Sequence, residues 1–233
     1  MVDSPSSDSP TLDIPADLVL PEAGTGPGIV LFQEIFGVTD YIRSRARDLA
    51  DLGYAVLVPH FYAHLGDPVV TEDEGGLPRA MALLEEFDWP RGVRDGVGAL
   101  EALRAHPAVT GGVGLVGFCF GGGLAFNVAA EAELKPDALV SYYGSALPTL
   151  LGIAAQVTSP SLHHFGDSDS YISLDTVREI EDAVTENNED VTFVVYPGAD
   201  HAFDNPSPTF HHAAASEAAW DETTAWLREN LPV

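Results

Sequence analysis

A chain of 233 residues, 45% of them hydrophobic, is sized for one domain with a substantial core. Its 36 acidic residues against 10 basic ones leave a formal net charge of −26, which repels nucleic acid and anionic membranes and excludes both as expected partners. The single cysteine excludes an intrachain disulfide, and the absence of a basic-then-apolar leader and of any apolar run of about 18 residues gives the reading of a cytoplasmic protein.

Residues 1–26, rich in Ser, Pro, Asp and Gly, read as an irregular arm with one edge strand near 18–20, and residues 27–233 as a single domain. Strands and helices then alternate. Residues 28–32 form a short buried strand, and 40–52 have helical spacing that stops before Gly53. The next strand, 54–58, is closed by Pro59. Residues 60–80 carry Gly, Pro and acids without a period and read as an excursion loop. A helix is expected at 92–105, a strand at 113–116 and a helix at 120–131. Strands at 138–142 and 161–165, a helix at 174–186, a strand at 191–196 and a helix at 213–229 complete the chain. Short apolar runs between amphipathic helices predict the α/β class: a doubly wound, mostly parallel sheet with helices on both faces. Such sheets bind ligands beyond the carboxyl ends of their strands.

The strongest local signal is Gly117-Phe118-Cys119-Phe120-Gly121, set between the strand at 113–116 and the helix that follows. A nucleophile displayed on a sharp strand-to-helix turn needs small residues on either side, so that strand and helix can approach. Thiol is also a better nucleophile than hydroxyl at neutral pH. Without that context Cys119 would read as a small buried apolar residue.

With such an elbow the triad runs in the order nucleophile, acid, histidine. Asp169 follows the strand at 161–165, and His201 follows the strand at 191–196, so both stand at the same sheet edge as Cys119. His201 would take the thiol proton while Asp169 fixes its tautomer. Asp167 is the rival acid, and Asp200 reads as a loop-shaping residue. His163 and His164 lie within a strand, with one expected to point into packing. His211 and His212 read as a surface pair, and His60, His64 and His106 as loop or surface residues with no acid to orient them.

Gln33-Glu34-Ile35-Phe36-Gly37 closes the first buried strand. A carboxylate there is uncommon without a partner. Glu34 therefore reads as facing the site and governing the protonation of Cys119, with a structural salt bridge to an arginine as the alternative. The N–H groups of Ile35 and Phe120 are the expected oxyanion hole.

Q-E-I-F-G, G-L-V-G-F-C-F-G-G-G-L-A-F, H-F-G-D-S-D and P-G-A-D-H-A-F, in that order from about Gly28 to the end of the chain, resemble the signature blocks of the dienelactone hydrolase (carboxymethylenebutenolidase) family of the α/β-hydrolase superfamily. The resemblance implies the triad Cys119, Asp169 and His201. It also implies that Glu34 holds the cysteine as a neutral thiol until substrate displaces the contact. Family members open the lactone ring of dienelactones through an acyl-enzyme thioester that water then hydrolyses. They carry a substrate-binding arginine four residues after the histidine, where this chain has Asn205; Arg79 lies near the place of a second. An asparagine cannot clamp a carboxylate as arginine does, so an uncharged or differently placed ester or lactone enters the reading. Phe36, Tyr142 and Phe203 flank the motifs as pocket residues, with core packing as the alternative.

The resulting expectation is a hydrolase of a small lactone or ester that needs no metal or organic cofactor, as a monomer or small homo-oligomer. A non-catalytic small-molecule binder and an acyltransferase are the alternatives. Lys135 is the one lysine, and a carboxylate excess of this size resembles proteins of salt-accumulating archaea. At ~1 M salt the screening length falls to roughly 3 Å, which relieves the self-repulsion.

Overall fold

The computed structural model describes residues 12–233. Seven strands lie in the order β1-β3-β2-β4-β5-β6-β7: β1 (Ala16–Val19), β2 (Gly26–Phe32), β3 (Ala55–Pro59), β4 (Val109–Phe118), β5 (Leu139–Tyr142), β6 (Ser161–Gly166) and β7 (Val191–Tyr196). Only β1 runs antiparallel, against β3; the other pairs are parallel. The helices are α1 (Asp40–Asp51), α2 (Leu77–Glu86), α3 (Trp89–Arg104), α4 (Phe120–Glu131), the single turn α5 (Leu147–Leu150), α6 (Leu174–Thr185) and α7 (Ala213–Asn230). The expected doubly wound architecture is the one observed.

Both faces of the sheet are covered, which is why the central strands are apolar along their whole length rather than alternately. β2 is buried at every position. His163 and His164, neighbours on β6, show the two sides: His163 packs against Phe126 of α4, and His164 meets Thr223 of α7 at 2.9 Å. Both histidines are buried, not one alone, and burial lowers the first to about 4 and the second to about 3, so both are neutral. Helix starts follow their caps. Thr39 accepts from Ile42 N–H, Asp88 from Arg91 N–H and Ser173 from Thr176 N–H.

Three departures from the sequence reading have local causes. The edge strand sits at Ala16–Val19, and its Asp17 meets Arg43 of α1 at 3.1 Å. The segment at 60–80 is not all loop: it holds a 3-10 turn at Ala63–Leu65, and α2 starts inside it, behind Gly75-Gly76 and with Pro78 in its first turn. β4 is much longer than 113–116, because Gly111, Gly112 and Gly114 hide its apolar pattern.

Candidate active site

Cys119 is the lone residue between β4 and α4, with φ 53° and ψ −116°. A non-glycine residue there is strained, and such strain persists only where the surroundings enforce it. The neighbours do so by contact. A Cβ on Gly117 would stand 2.2 Å from Gly121 O, and one on Gly121 would stand 2.4 Å from Gln33 O. Glycine at both positions lets α4 start against the ends of β4 and β2, and the sulfur is displayed where those strands finish.

The loops after β6 and β7 bring the other two residues. His201 Nδ1 donates to Asp169 Oδ2 at 2.8 Å, and His201 Nε2 lies 3.1 Å from Cys119 Sγ. Asp169 Oδ1 accepts the N–H groups of Tyr171 and Ile172, each at 2.8 Å, so its carboxylate is held from two sides. Asp200 Oδ1 accepts from Ser170 N and His201 N at 2.7 Å and stitches the loops together, as expected of a loop-shaping residue. Asp167 accepts from Gly198 N and the Ser168 hydroxyl and serves the turn rather than the histidine. Burial alone would lower His201. The facing Cys119 sulfur and the hydrogen-bonded Asp169 outweigh it and push the imidazole up to about 10.

Glu34 is wholly buried and meets no arginine among the described residues. Asn205 Nδ2 donates to Glu34 Oε2 at 2.7 Å and to Glu72 Oε1 at 3.0 Å, and the Tyr143 hydroxyl is 3.2 Å from Glu34 Oε1. Ser207 N–H donates to Asn205 Oδ1 at 2.9 Å, which fixes the amide's orientation. Burial pushes Glu34 up to about 8, reinforced by Glu72 and only partly offset by the Asn205 amide, His201 and Tyr143. The environment of Glu34 thus favours the neutral acid. Among the described residues the sulfur's hydrogen-bond partner is His201, not Glu34, so the gating contact implied by the resemblance is not formed here. The N–H groups of Ile35 and of Phe120, the first residue of α4, have no backbone acceptor among the described residues.

Glu34, Cys119 and His201 open into one cavity of about 100 Å³. Ile35, Phe36, Leu77, Met81, Leu84, Ala202 and Phe210 give it apolar walls, and Ser145 and Tyr171 complete them. Among the described residues neither lysine nor arginine lines it.

Of the expected pocket residues only Phe36 is in this wall. Arg79 is exposed on α2 and lies 3.8 Å from Glu86. Tyr142 points to the other face of the sheet, where its hydroxyl meets Ala219 O at 3.0 Å and Thr223 at 2.6 Å. Phe203 packs between Tyr143 and Tyr196, and Asn205 reaches the site through Glu34. His60 and His64 do have acids: Asp67 lies 2.6 Å from His60, and Asp95 lies 3.2 Å from His64. The sequence reading missed Tyr143, Tyr171, Glu72 and the α2 wall. The spacing of Leu77, Met81 and Leu84 is helical and could have shown that wall.

The chain matches the model of the dienelactone hydrolase family over residues 14–231. It is 35% identical over 201 residues to a carboxymethylenebutenolidase of Pseudomonas putida, covering 85% of this chain and 84% of that one. Carboxymethylenebutenolidase 1 of Cupriavidus pinatubonensis is 32% identical over 202 residues, with the same coverage. Among solved structures, a Klebsiella pneumoniae protein provisionally named a dienelactone hydrolase superposes with a TM-score of 0.81 at 29% identity, covering 93% of each chain. A dienelactone hydrolase-like promiscuous phosphotriesterase from metagenomic libraries superposes with a TM-score of 0.77 at 29% identity, covering 92% of each chain.

Proposed function

The chain belongs to the dienelactone hydrolase family and is a hydrolase of carboxylic esters or lactones, and from that premise we propose that it works through a cysteine acyl-enzyme on small, uncharged, largely apolar substrates. The observation that carries the reading is the continuous line Asp169–His201–Cys119, with contacts of 2.8 and 3.1 Å, ending on a nucleophile at a strained elbow. The sulfur attacks the substrate carbonyl, and His201 holds the proton that the thiol gives up. The carbonyl oxygen becomes an oxyanion facing the N–H groups of Ile35 and Phe120. Collapse expels the alkoxide, which His201 protonates; in a lactone this opens the ring. His201 then takes a proton from water, the hydroxide attacks the thioester, and the acid is released as the sulfur leaves and recovers that proton from His201.

The wall argues for the substrate's charge. A carboxylate moved into an apolar cavity with no lysine or arginine among the described residues of its lining loses its hydration without a counter-ion. Glu72 adds like charge close by, through the shared Asn205 amide. The same reading places the enzyme in a salt-rich cytoplasm, which the net charge of −26 and the single lysine support.

The test is rapid-quench mass spectrometry with p-nitrophenyl butyrate and its anionic counterpart, mono-p-nitrophenyl succinate. A butyryl mass on the Cys119 peptide, loss of turnover in Cys119→Ala and a kcat/KM at least about 100-fold lower for the anion are expected. Undiminished turnover by Cys119→Ala would overturn the mechanism, and equal use of both esters would overturn the substrate class.

A further inference from the structure

Glu34 also begins a buried row of hydroxyls that the proposed reaction does not use. Tyr143 Oη lies 3.2 Å from Glu34 Oε1, and Tyr41 Oη lies 3.4 Å from Tyr143 Oη. Tyr41 in turn donates to Asp204 Oδ2 at 2.5 Å. Asp204 is fixed as an acceptor, because Arg45 grips it through Nε at 2.9 Å and Nη2 at 2.6 Å, and the Ser216 hydroxyl adds a contact at 2.7 Å. The members come from separate places: the end of β2, the residue after β5, helix α1 and the loop beyond His201. All four side chains are buried.

Counting hydrogens decides the row's direction. Each tyrosine has one, and Tyr41 spends its own on Asp204. Tyr143 can give its hydrogen to Glu34 or to Tyr41, but not to both. With Glu34 ionised, Tyr143 must turn to the carboxylate, and two buried hydroxyl oxygens face each other with no hydrogen between them. With Glu34 protonated at Oε1, Glu34 donates to Tyr143, Tyr143 to Tyr41 and Tyr41 to Asp204, while Oε2 still accepts from Asn205. Every buried polar atom of the row is then satisfied, which the interior strongly favours.

We propose that Tyr143, Tyr41 and Asp204 are positioning residues that hold the Glu34 proton, by forming a one-way hydrogen-bonded line that is complete only while Glu34 is a carboxylic acid. The other groups facing Glu34 are Glu72 from the segment before α2, His201 and Asn205 from the loop after β7, and Cys119 at the elbow; none of them is hydrogen-bonded to Oε1. Burial and Glu72 favour the proton as well; the Asn205 amide, His201 and the Tyr143 hydroxyl, when it turns its hydrogen to Oε1, oppose it. A neutral acid at this place adds no negative charge to the cavity in which the oxyanion develops. The inference deepens the acyl-enzyme reading, but its test needs no turnover.

The measurement is infrared difference spectroscopy of the whole protein across pH, in ~2 M KCl to keep the acidic chain folded. The protonated-acid carbonyl band that disappears in Glu34→Gln is assigned to Glu34. In the parent protein it should titrate near pH 8. In Tyr41→Phe both states lose the bond to Asp204, but the neutral state alone also loses the acceptor for Tyr143, so the midpoint should fall by about one pH unit. Tyr54→Phe, which removes a buried hydroxyl bonded to Leu231 O, should leave it in place. An unchanged midpoint in Tyr41→Phe, or no protonated band at neutral pH, would overturn the proposal. Should Tyr41→Phe fail to fold, the parent spectrum still decides. The tyrosine C–O bands must shift together with the Glu34 band, because the row reverses when the proton leaves, and tyrosine bands indifferent to Glu34 would refute the line. Loss of activity in Cys119→Ala with these spectra intact, or the reverse, separates the fate of this inference from that of the acyl-enzyme.

Discussion

At the scale of single residues, the division of labour between two neighbouring acids can be tested directly. Asp169 touches the imidazole, whereas Asp167 ties Gly198 and Ser168 into the turn. Asp169→Asn should lower kcat/KM by about 10³–10⁴-fold, since the imidazole loses its fixed tautomer and the charge that supports its protonated form. Asp167→Asn should change it by less than about tenfold. Both are read from initial rates on one neutral ester. Glu34 carries a second prediction, in stability rather than rate. Its folded pKa lies above the ordinary 4.5, at about 8, so the folded chain keeps a proton that the unfolded chain releases. Stability from this source is whole below pH 4.5 and is lost as the pH climbs to about 8. Glu34→Gln cannot titrate, so the variant should gain a few kcal/mol on the parent between those limits, seen as converging or crossing denaturation midpoints. Parallel midpoints would contradict it. Cys119, Asp169 and His201 were legible because each stands next to a strand end in an ordered motif. Glu34 was legible as an acid out of place. Tyr143 was not: the sequence reading settled on Tyr142, the last residue of β5, whereas Tyr143 follows the strand with φ 37°, a turn that no local pattern announces.

At the scale of elements, the turn that carries the sulfur depends on close backbone approach. Gly121→Ala would press a methyl against Gln33 O at 2.4 Å and Phe32 O at 2.5 Å. It should cost about 2–4 kcal/mol or prevent folding, because the opposing atoms are backbone and cannot swing aside. Gly98→Ala is the matched control inside α3, where a Cβ meets nothing within 4 Å. It should stabilise by about 0.5–1 kcal/mol through helix propensity. Thermal unfolding of the pair distinguishes contact from a general intolerance of alanine. Most strands and helices could be read from the chain because apolar runs and helical periods alternate plainly. The α2 wall was missed although Leu77, Met81 and Leu84 keep helical spacing, because the Gly-Gly and Pro that introduce the helix are also the marks of a loop. The cavity escaped for the same reason: one of its walls is that helix, and Tyr171 and Phe210 come from loops whose approach no local pattern encodes.

At the scale of the whole molecule, charge dominates. Arg43, Arg45, Arg79, Arg91, Arg104 and Arg178 already face carboxylates, so the 10 basic residues leave most of the 36 acids without a cation. Raising KCl from ~0.1 M to ~2 M shortens the screening length from roughly 10 Å to a few ångströms, and the unfolding temperature should rise by about 10 °C or more. A temperature that stays flat across that range would identify an acidic protein with no need of salt. The elbow has a practical consequence at this scale as well. Since the sulfur of Cys119 is the chain's one thiol, a small alkylating reagent taken up mole for mole counts intact nucleophiles, and thiol oxidation in a preparation can be read at a single atom.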